Sequence, residues 1–311
     1  MIFSNMDIPV AEENTPKILP DLCKIKISEK IPCRDPFIML YNEKYYLYKS
    51  LGEKGIGCMV SDDLKNWSEP VVVFETPENF HGVKDWFWAP ECHYYNGHFY
   101  IFTSVFSSKY NHRVISVYCS KNPLGSFTVT SECISPEEWD AIDGTLYVDE
   151  EKQPWLVFVH EWTSMPNGNG GMVAAKLNDN FTELISEPQL LFLAKDAPWT
   201  TDGITDGPYM IKGDNGNLYM IWSNYSKTGY AVGLAKSDNG KITGDWSHFD
   251  KEVYAKDLKD EYIYDGGHAM VFKTKDNKNV MAFHTPNNKA VDTEHLCIIN
   301  ITEKAEGIII E

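Results

Sequence analysis

An all-β fold, a five-bladed β-propeller with four antiparallel strands per blade, is what this sequence predicts, and three observations predict it. The first is an internal repeat. Five segments share a charged or proline-containing head, a short apolar strand, a tight polar turn and a second, aromatic-rich strand. A regular period of 50 to 60 residues is the signature of a propeller blade or a solenoid turn. The second is turn chemistry of the β-hairpin kind between the two strands of each segment. The third is the near absence of amphipathic stretches with a 3.6-residue period, which argues against a barrel of alternating strands and helices of similar length.

The five segments are RDPFIMLYNEKYYLYKS (34–50), APECHYYNGHFYIFTS (89–104), IDGTLYVDEEKQPWLVFVHEW (142–162), TDGPYMIKGDNGNLYMIWSN (205–224) and DGGHAMVFKTKDNKNVMAFHT (265–285). With Asp35, Glu91, Asp143, Asp206 and Asp265 as heads, they recur at intervals of 56, 52, 63 and 59 residues. Asn96-Gly97, Asp214-Asn215-Gly216 and Asp276-Asn277 supply turn residues that tolerate positive φ. Third strands follow in GIGCMVS (55–61), HRVISVYCS (112–120), GMVAAKL (171–177) and YAVGLAKS (230–237). Closing motifs come next, two of them ending in Trp67 and Trp246 at corresponding outer positions, where a structural role is expected. Residues 1–23 read as an N-terminal extension and 24–311 as one propeller domain, with CKIKISE, HLCIINI and GIIIE as candidates to close the ring.

Composition narrows the function. The 311 residues carry 28 Lys+Arg against 45 Asp+Glu, a formal net charge of −17. Such a field repels phosphate backbones and anionic lipid, and no basic patch overrides it, so neither nucleic acid nor membrane is an expected partner. Seven scattered cysteines without a CxxC pair support neither a disulfide framework nor a zinc knuckle. The first residues show no basic segment followed by an apolar one, so a cytoplasmic protein is expected, or a secreted one if a leader has been removed. No phosphate-cradling glycine loop, GxSxG elbow or HExxH motif is present. Aromatic residues make up 13% of the chain, which fits β-structure, sugar binding or both.

Propeller geometry gathers the starts of the inner strands and the ends of the second strands at one mouth of the channel. The heads then meet the tails Ser50, Ser104, His160, Glu161, Trp222, Asn224 and His284 in an acidic, aromatic-lined pocket. Carboxylates crowded together and partly out of water have their proton affinities driven apart. Glycoside hydrolysis requires that separation: one protonated acid for the leaving oxygen and one ionised base for water. Trp86, Phe87 and Trp88 precede the second inner strand and offer an apolar face for a pentose ring, as do Trp162 and Trp199 beside the third and fourth heads. Glu91, Trp222 and His284 complete the expected sugar contacts. His81, His93, His98 and His112 read as surface or core residues, and Asp202 as a loop residue.

From about residue 30 onward the ordered set of motifs resembles glycoside hydrolase family 43, inverting five-bladed propeller enzymes acting on arabinose-, xylose- and sometimes galactose-containing glycans. The resemblance implies that Asp35, in Arg34-Asp35-Pro36, is the general base and that Asp143, in Ile142-Asp143-Gly144, tunes and orients the acid. The segment Trp88 to Glu91 and the pair Gly267-His268 also fit, and His268 would help hold a calcium or another structural ion, none being required for the chemistry. One departure stands out. The family's general acid is a Glu before Gly-Pro at the fourth head, where this chain has Asp206. Asp is one methylene shorter and reaches a leaving oxygen only if the sugar or backbone sits about 1 to 1.5 Å closer. Either Asp206 is the acid in a shifted pocket, or Glu161 reaches in instead, or sugar is bound without being cleaved. The resemblance implies an inverting hydrolase. With short loops and no appended carbohydrate-binding domain, exo-release of a terminal furanose or pentose is expected. α-L-arabinofuranosidase stands ahead of β-xylosidase and β-galactofuranosidase, and a non-catalytic sugar-binding propeller is the rival from another class. Oligomeric state is not encoded in any motif.

Overall fold

Asn42-Glu43 and Asn96-Gly97 are all at positive φ, and each pair joins two strands in perfect register, Tyr41 opposite Lys44 and Tyr95 opposite His98. That is the two-residue turn whose twist matches flanking strands. The computed structural model describes residues 31–82, 86–213, 216–259, 262–304 and 307–310. Twenty strands form five four-stranded antiparallel sheets, each in simple sequence order. Blade one holds β1 (Phe37–Tyr41), β2 (Lys44–Ser50), β3 (Gly55–Ser61) and β4 (Val71–Glu75). Blade two holds β5 (Trp88–Tyr95), β6 (His98–Ser107), β7 (His112–Ser120) and β8 (Thr128–Ser131). Blade three holds β9 (Ala141–Val148), β10 (Pro154–His160), β11 (Gly171–Lys176) and β12 (Gln189–Leu193). Blade four holds β13 (Asp206–Lys212), β14 (Leu218–Ser226), β15 (Gly229–Ser237) and β16 (Trp246–His248). Blade five holds β17 (Gly267–Lys273), β18 (Asn279–Thr285), β19 (His295–Lys304) and β20 (Gly307–Ile310).

The inner strands β1, β5, β9, β13 and β17 touch in that order, and β17 returns to β1, closing a five-bladed propeller. HLCIINI and the described part of GIIIE, Gly307–Ile310, lie in the outer strands of blade five. The described closing contact is a bridge between Pro32 and His295, flanked by hydrogen bonds from Cys33 N to the Glu294 carbonyl and from Leu296 N to the Ile31 carbonyl. The extension 1–23, the CKIKISE segment and the Asp214-Asn215 part of the fourth turn lie outside the described residues.

Register corrects the choice of heads. In blades two to five the inner strand pairs with its neighbour, slips by one residue, and resumes three residues later: Trp88 then Glu91, Ile142 then Thr145, Asp206 then Tyr209, Gly267 then Met270. The residue after the last pair before the slip has positive φ every time, namely Ala89 (44°), Asp143 (55°), Gly207 (51°) and His268 (54°), and Asp35 (49°) matches it in blade one. Asp35 and Asp143 are therefore true equivalents, and Ala89, Gly207 and His268 take that place in the other blades. Asp206 stands one residue before it, Glu91 two after and Asp265 three before. A bulge of this kind re-aims one side chain at a functional rim. Left-handed backbone at four residues other than glycine costs on the order of 1 to 3 kcal/mol each and persists only where surrounding bonds enforce it.

The core lies between blades. Phe102, Ile115 and Phe181 join blades two and three; Trp155, Met172, Trp199 and Trp222 join three and four; Tyr219, Tyr254 and Phe283 join four and five. Tyr48, Phe74, Phe87 and Tyr118 pack blade one against two. Trp67 and Trp246 occupy matching outer positions, each indole N–H donating to a carbonyl three or four residues back, Leu64 or Ile242, at 3.1 Å. Five of the six described cysteines are free thiols, and Cys297 is disulfide-bonded.

Candidate active site

Three of the five positive-φ positions are held by the preceding blade. The amide of Asp143 donates to Ser104 Oγ at 2.9 Å, that of His268 to Ser223 Oγ at 2.8 Å, and that of Asp35 to His284 Nδ1 at 3.3 Å. In each case the acceptor sits at the end of a second strand, so tail and head of adjacent blades lock together. Gly207 N instead donates across the mouth to Asp143 Oδ2 at 3.0 Å. Glycine is required there because an added Cβ would lie 2.9 Å from the His268 ring and 3.1 Å from its Cα.

These contacts frame a cleft of about 640 Å³ whose walls include Asp35, Asp143, Asp206 and Glu161. His268 Nδ1 stands 3.3 Å from Asp35 Oδ1 and 3.8 Å from Asp143 Oδ2, and His284 Nδ1 stands 3.2 Å from Asp35 Oδ1. A neutral His284 accepts from the Asp35 amide, and an imidazolium donates to its carboxylate. Arg34 Nε lies 3.5 Å from Asp35 Oδ2, while its terminal nitrogen pairs with Glu294. Burial pushes the Asp35 carboxyl up, but His268, His284 and Arg34 outweigh it and hold the group well below the usual carboxylate range.

The other carboxyls move the opposite way. Burial and then the Asp35 charge push Asp143 up to about 7, against the pull of the Gly207 amide. Burial and then Asp143 push Asp206 up to about 7, against His268 and the Tyr230 hydroxyl, which donates to Asp206 Oδ2 at 2.9 Å. Burial and then Asp140 push Glu161 up to about 7. Thr163 Oγ1, 2.7 Å from Asp140 Oδ2 and 3.2 Å from Glu161 Oε2, ties those two together. Near neutral pH the mouth thus carries an ionised carboxylate at Asp35, while Asp143, Asp206 and Glu161 are raised into the range where they take up protons.

The aromatic expectations divide. Trp86, Trp88 and Trp162 line the cleft and are 55%, 39% and 44% exposed, the Trp88 ring lying under the Arg113 guanidinium at 3.3 Å. Trp222 and Trp199 do not line it. Both are buried in the core between blades three and four, with ring centroids 5.1 Å apart, and the Trp199 ring fills the space above Gly233. Strand alternation explains Trp222: its neighbour Ser223 faces blade five, where its hydroxyl accepts from the His268 amide, so Trp222 faces blade three. Glu91 is also withdrawn, since it lies three residues beyond the first pair of β5, and its carboxylate meets His93 Nε2 at 3.0 Å. His284 is wholly buried and touches Asp35 rather than the cleft. His160 stacks on Trp139 at 3.9 Å.

Among the described residues no group of ligands gathers around His268 to hold the expected ion. Its Nδ1 instead pairs with Asp35 and Asp143, and no three His, Cys, Asp or Glu among those residues converge to hold an ion. Tyr230 and the segment Lys289, Thr293 and Glu294 also line the cleft and were not foreseen. Tyr230 opens a regular strand and carries no motif; the other three come from the loop after Pro286, whose fold over Arg34 depends on contacts about 250 residues apart in the chain.

The family model described as "Glycosyl hydrolases family 43" matches residues 30–309. Among curated proteins, the chain is 29% identical over 150 residues to the extracellular endo-alpha-(1->5)-L-arabinanase 1 of Bacillus subtilis, covering 41% of this chain and 46% of that protein. It is 24% identical over 227 residues to the extracellular exo-alpha-(1->5)-L-arabinofuranosidase ArbA of Cellvibrio japonicus, covering 65% of this chain and 62% of that protein. The matches thus span about half to three fifths of those relatives. Among solved structures, the endo-arabinase from Bacteroides thetaiotaomicron VPI-5482 is 34% identical, with a TM-score of 0.78 over 92% of this chain and 97% of that one.

Proposed function

The chain belongs to glycosyl hydrolases family 43, and on that premise we propose that it is an inverting glycoside hydrolase whose first substrate is an α-L-arabinofuranosyl linkage. The observation that carries this reading is the opposed proton affinity of carboxyls in one cleft, Asp35 held ionised and Asp206 pushed up to about 7. An inverting hydrolase needs one of each. Asp35, the ionised carboxylate of the cleft, takes a proton from the attacking water, with His268 and His284 holding its Oδ1 in place at 3.3 and 3.2 Å. Water then adds to the anomeric carbon as the glycosidic bond breaks, and Asp206 gives its proton to the departing oxygen. Asp143 couples the pair: the Asp35 charge raises its proton affinity, and its own ionisation raises that of Asp206. The reaction so written is complete with two carboxyls and one water.

Release of a terminal arabinofuranose is the first mode. Endo-cleavage of an arabinan is the second, favoured by the likeness to the endo-arabinase at 34% identity. β-Xylosidase and β-galactofuranosidase activities follow as further alternatives within the family. The product of early turnover on a linear α-1,5-arabinan, monomer or a ladder of oligomers, separates the two modes.

The acid is assigned by leaving-group dependence. Asp206→Asn should lower kcat/KM on arabino-oligosaccharides about 10²- to 10⁴-fold, yet only slightly on a dinitrophenyl arabinofuranoside, whose leaving group needs no proton. Glu161→Gln should show no such split. Should the split follow Glu161 instead, Glu161 is the acid; no turnover of any glycoside by the unaltered protein would leave a sugar-binding propeller.

A further inference from the structure

Tyr230 lies on β15, outside every head and tail position, yet it connects both sides of the cleft. Its hydroxyl donates to Asp206 Oδ2 at 2.9 Å. Its ring lies nearly parallel to that of His284, with centroids 5.7 Å apart and planes 20° apart. His284 in turn contacts Asp35 at both amide and carboxylate, and its Nε2 stands 3.2 Å from Asn287 Oδ1, which also accepts from Arg34 at 3.1 Å. The path from Asp206 to Asp35 therefore runs through two stacked rings rather than through flexible chain. Gly267 makes room for this strut: a Cβ there would fall 2.4 Å from Tyr230 Cε1. Behind the ring, Tyr230 N donates to Asp265 Oδ2 at 3.3 Å, so the carboxylate first read as the fifth head anchors the strut instead.

We propose that Tyr230 is the positioning residue of this site, holding the Asp206 carboxyl at a set distance from Asp35 through the Tyr230–His284 stack. The inference rests on the hydrolase reading above and deepens it. Inverting hydrolysis depends on a carboxyl separation of about 6.5 to 9.5 Å, so a rigid link between acid and base has a direct catalytic consequence. The phenol also acts on the proton. As a donor it stabilises the ionised form of Asp206, opposing the burial and the Asp143 charge that raise it. Other charged groups face the pair: Asp35 and Arg34 from the segment before β1, Asp143 from β9, His268 from β17, and Glu161 from the end of β10. None of these is altered by removing the phenol oxygen.

The test is Tyr230→Phe, which keeps the ring and the stack. It should lower kcat/KM on arabino-oligosaccharides about tenfold and move the alkaline limb of the pH profile up by about one unit, because the ionised carboxylate has lost a donor. In an Asp206→Asn background the same change should cost little further activity. Independently of turnover, ¹³C NMR of labelled aspartate carboxyls should show the resonance missing in Asp206→Asn titrating at higher pH in Tyr230→Phe. An unmoved resonance, or equal losses in both backgrounds, would overturn the positioning role. A moved resonance in a protein that cleaves no glycoside would keep the Tyr230–Asp206 link and overturn the hydrolase reading alone.

Discussion

Asp35 and Asp206 show how one side-chain type takes opposite proton affinities within one cleft. Both are buried, so both start with a penalty on the ionised form. Asp35 faces two imidazoles and a guanidinium; Asp206 faces Asp143, against which one histidine and a phenol are insufficient. The sign of the pH dependence follows. With Asp206 as the proposed acid, kcat/KM should fall as pH rises through about 7. With Asp35 as the proposed base, held ionised far below the usual carboxylate range, the acid limb should be flat through pH 5. A steep loss between pH 6 and 5 in a folded sample would contradict the assignment. Replacing Glu by Asp at the fourth head was visible in the sequence as a departure; that its proton affinity is nonetheless raised was not, because Asp143 is 63 residues away in the chain.

At the level of elements, the recurring device is a bulged inner strand whose left-handed residue is clamped by the neighbouring blade. Ser223 illustrates its weight. It is fully buried, and its hydroxyl is the acceptor for the His268 amide. Ser223→Ala leaves that amide unsatisfied beside a left-handed backbone, which costs about 1 to 3 kcal/mol. Because His268 also contacts Asp35, activity should fall with stability, measured by urea unfolding and by kcat/KM. Unchanged values of both would show that the clamp has no role. The hairpins themselves were legible from Asn96-Gly97 and the alternation of aromatic residues. The bulges were not, since slipping by one residue leaves no compositional mark, and that slip separates Asp143 from Asp206 and turns Glu91 away from the mouth.

For the molecule as a whole, the site is held against stability. A carboxyl raised from its ordinary value to about 7 binds a proton in the folded state that it lacks when unfolded, so stability declines as pH rises from about 4 to 7 and stays reduced above that. Asp206→Asn should therefore melt a few degrees higher than the unaltered protein at pH 8, with the gap narrowing toward pH 5. An equal gap at both values would mean that the gain has another source. What the sequence by itself determined is the number of blades, the strand and hairpin pattern, and the carboxyl-bearing heads at Asp35, Asp143 and Asp206, because period, turn residues and alternation are local properties of a chain. Only the tertiary structure decided which tryptophans meet the cleft, with Trp88 and Trp162 on its wall and Trp199 and Trp222 in the core, and which carboxyls keep a proton. Those outcomes depend on burial and on charges brought together from opposite ends of the ring, and no short stretch of sequence contains them.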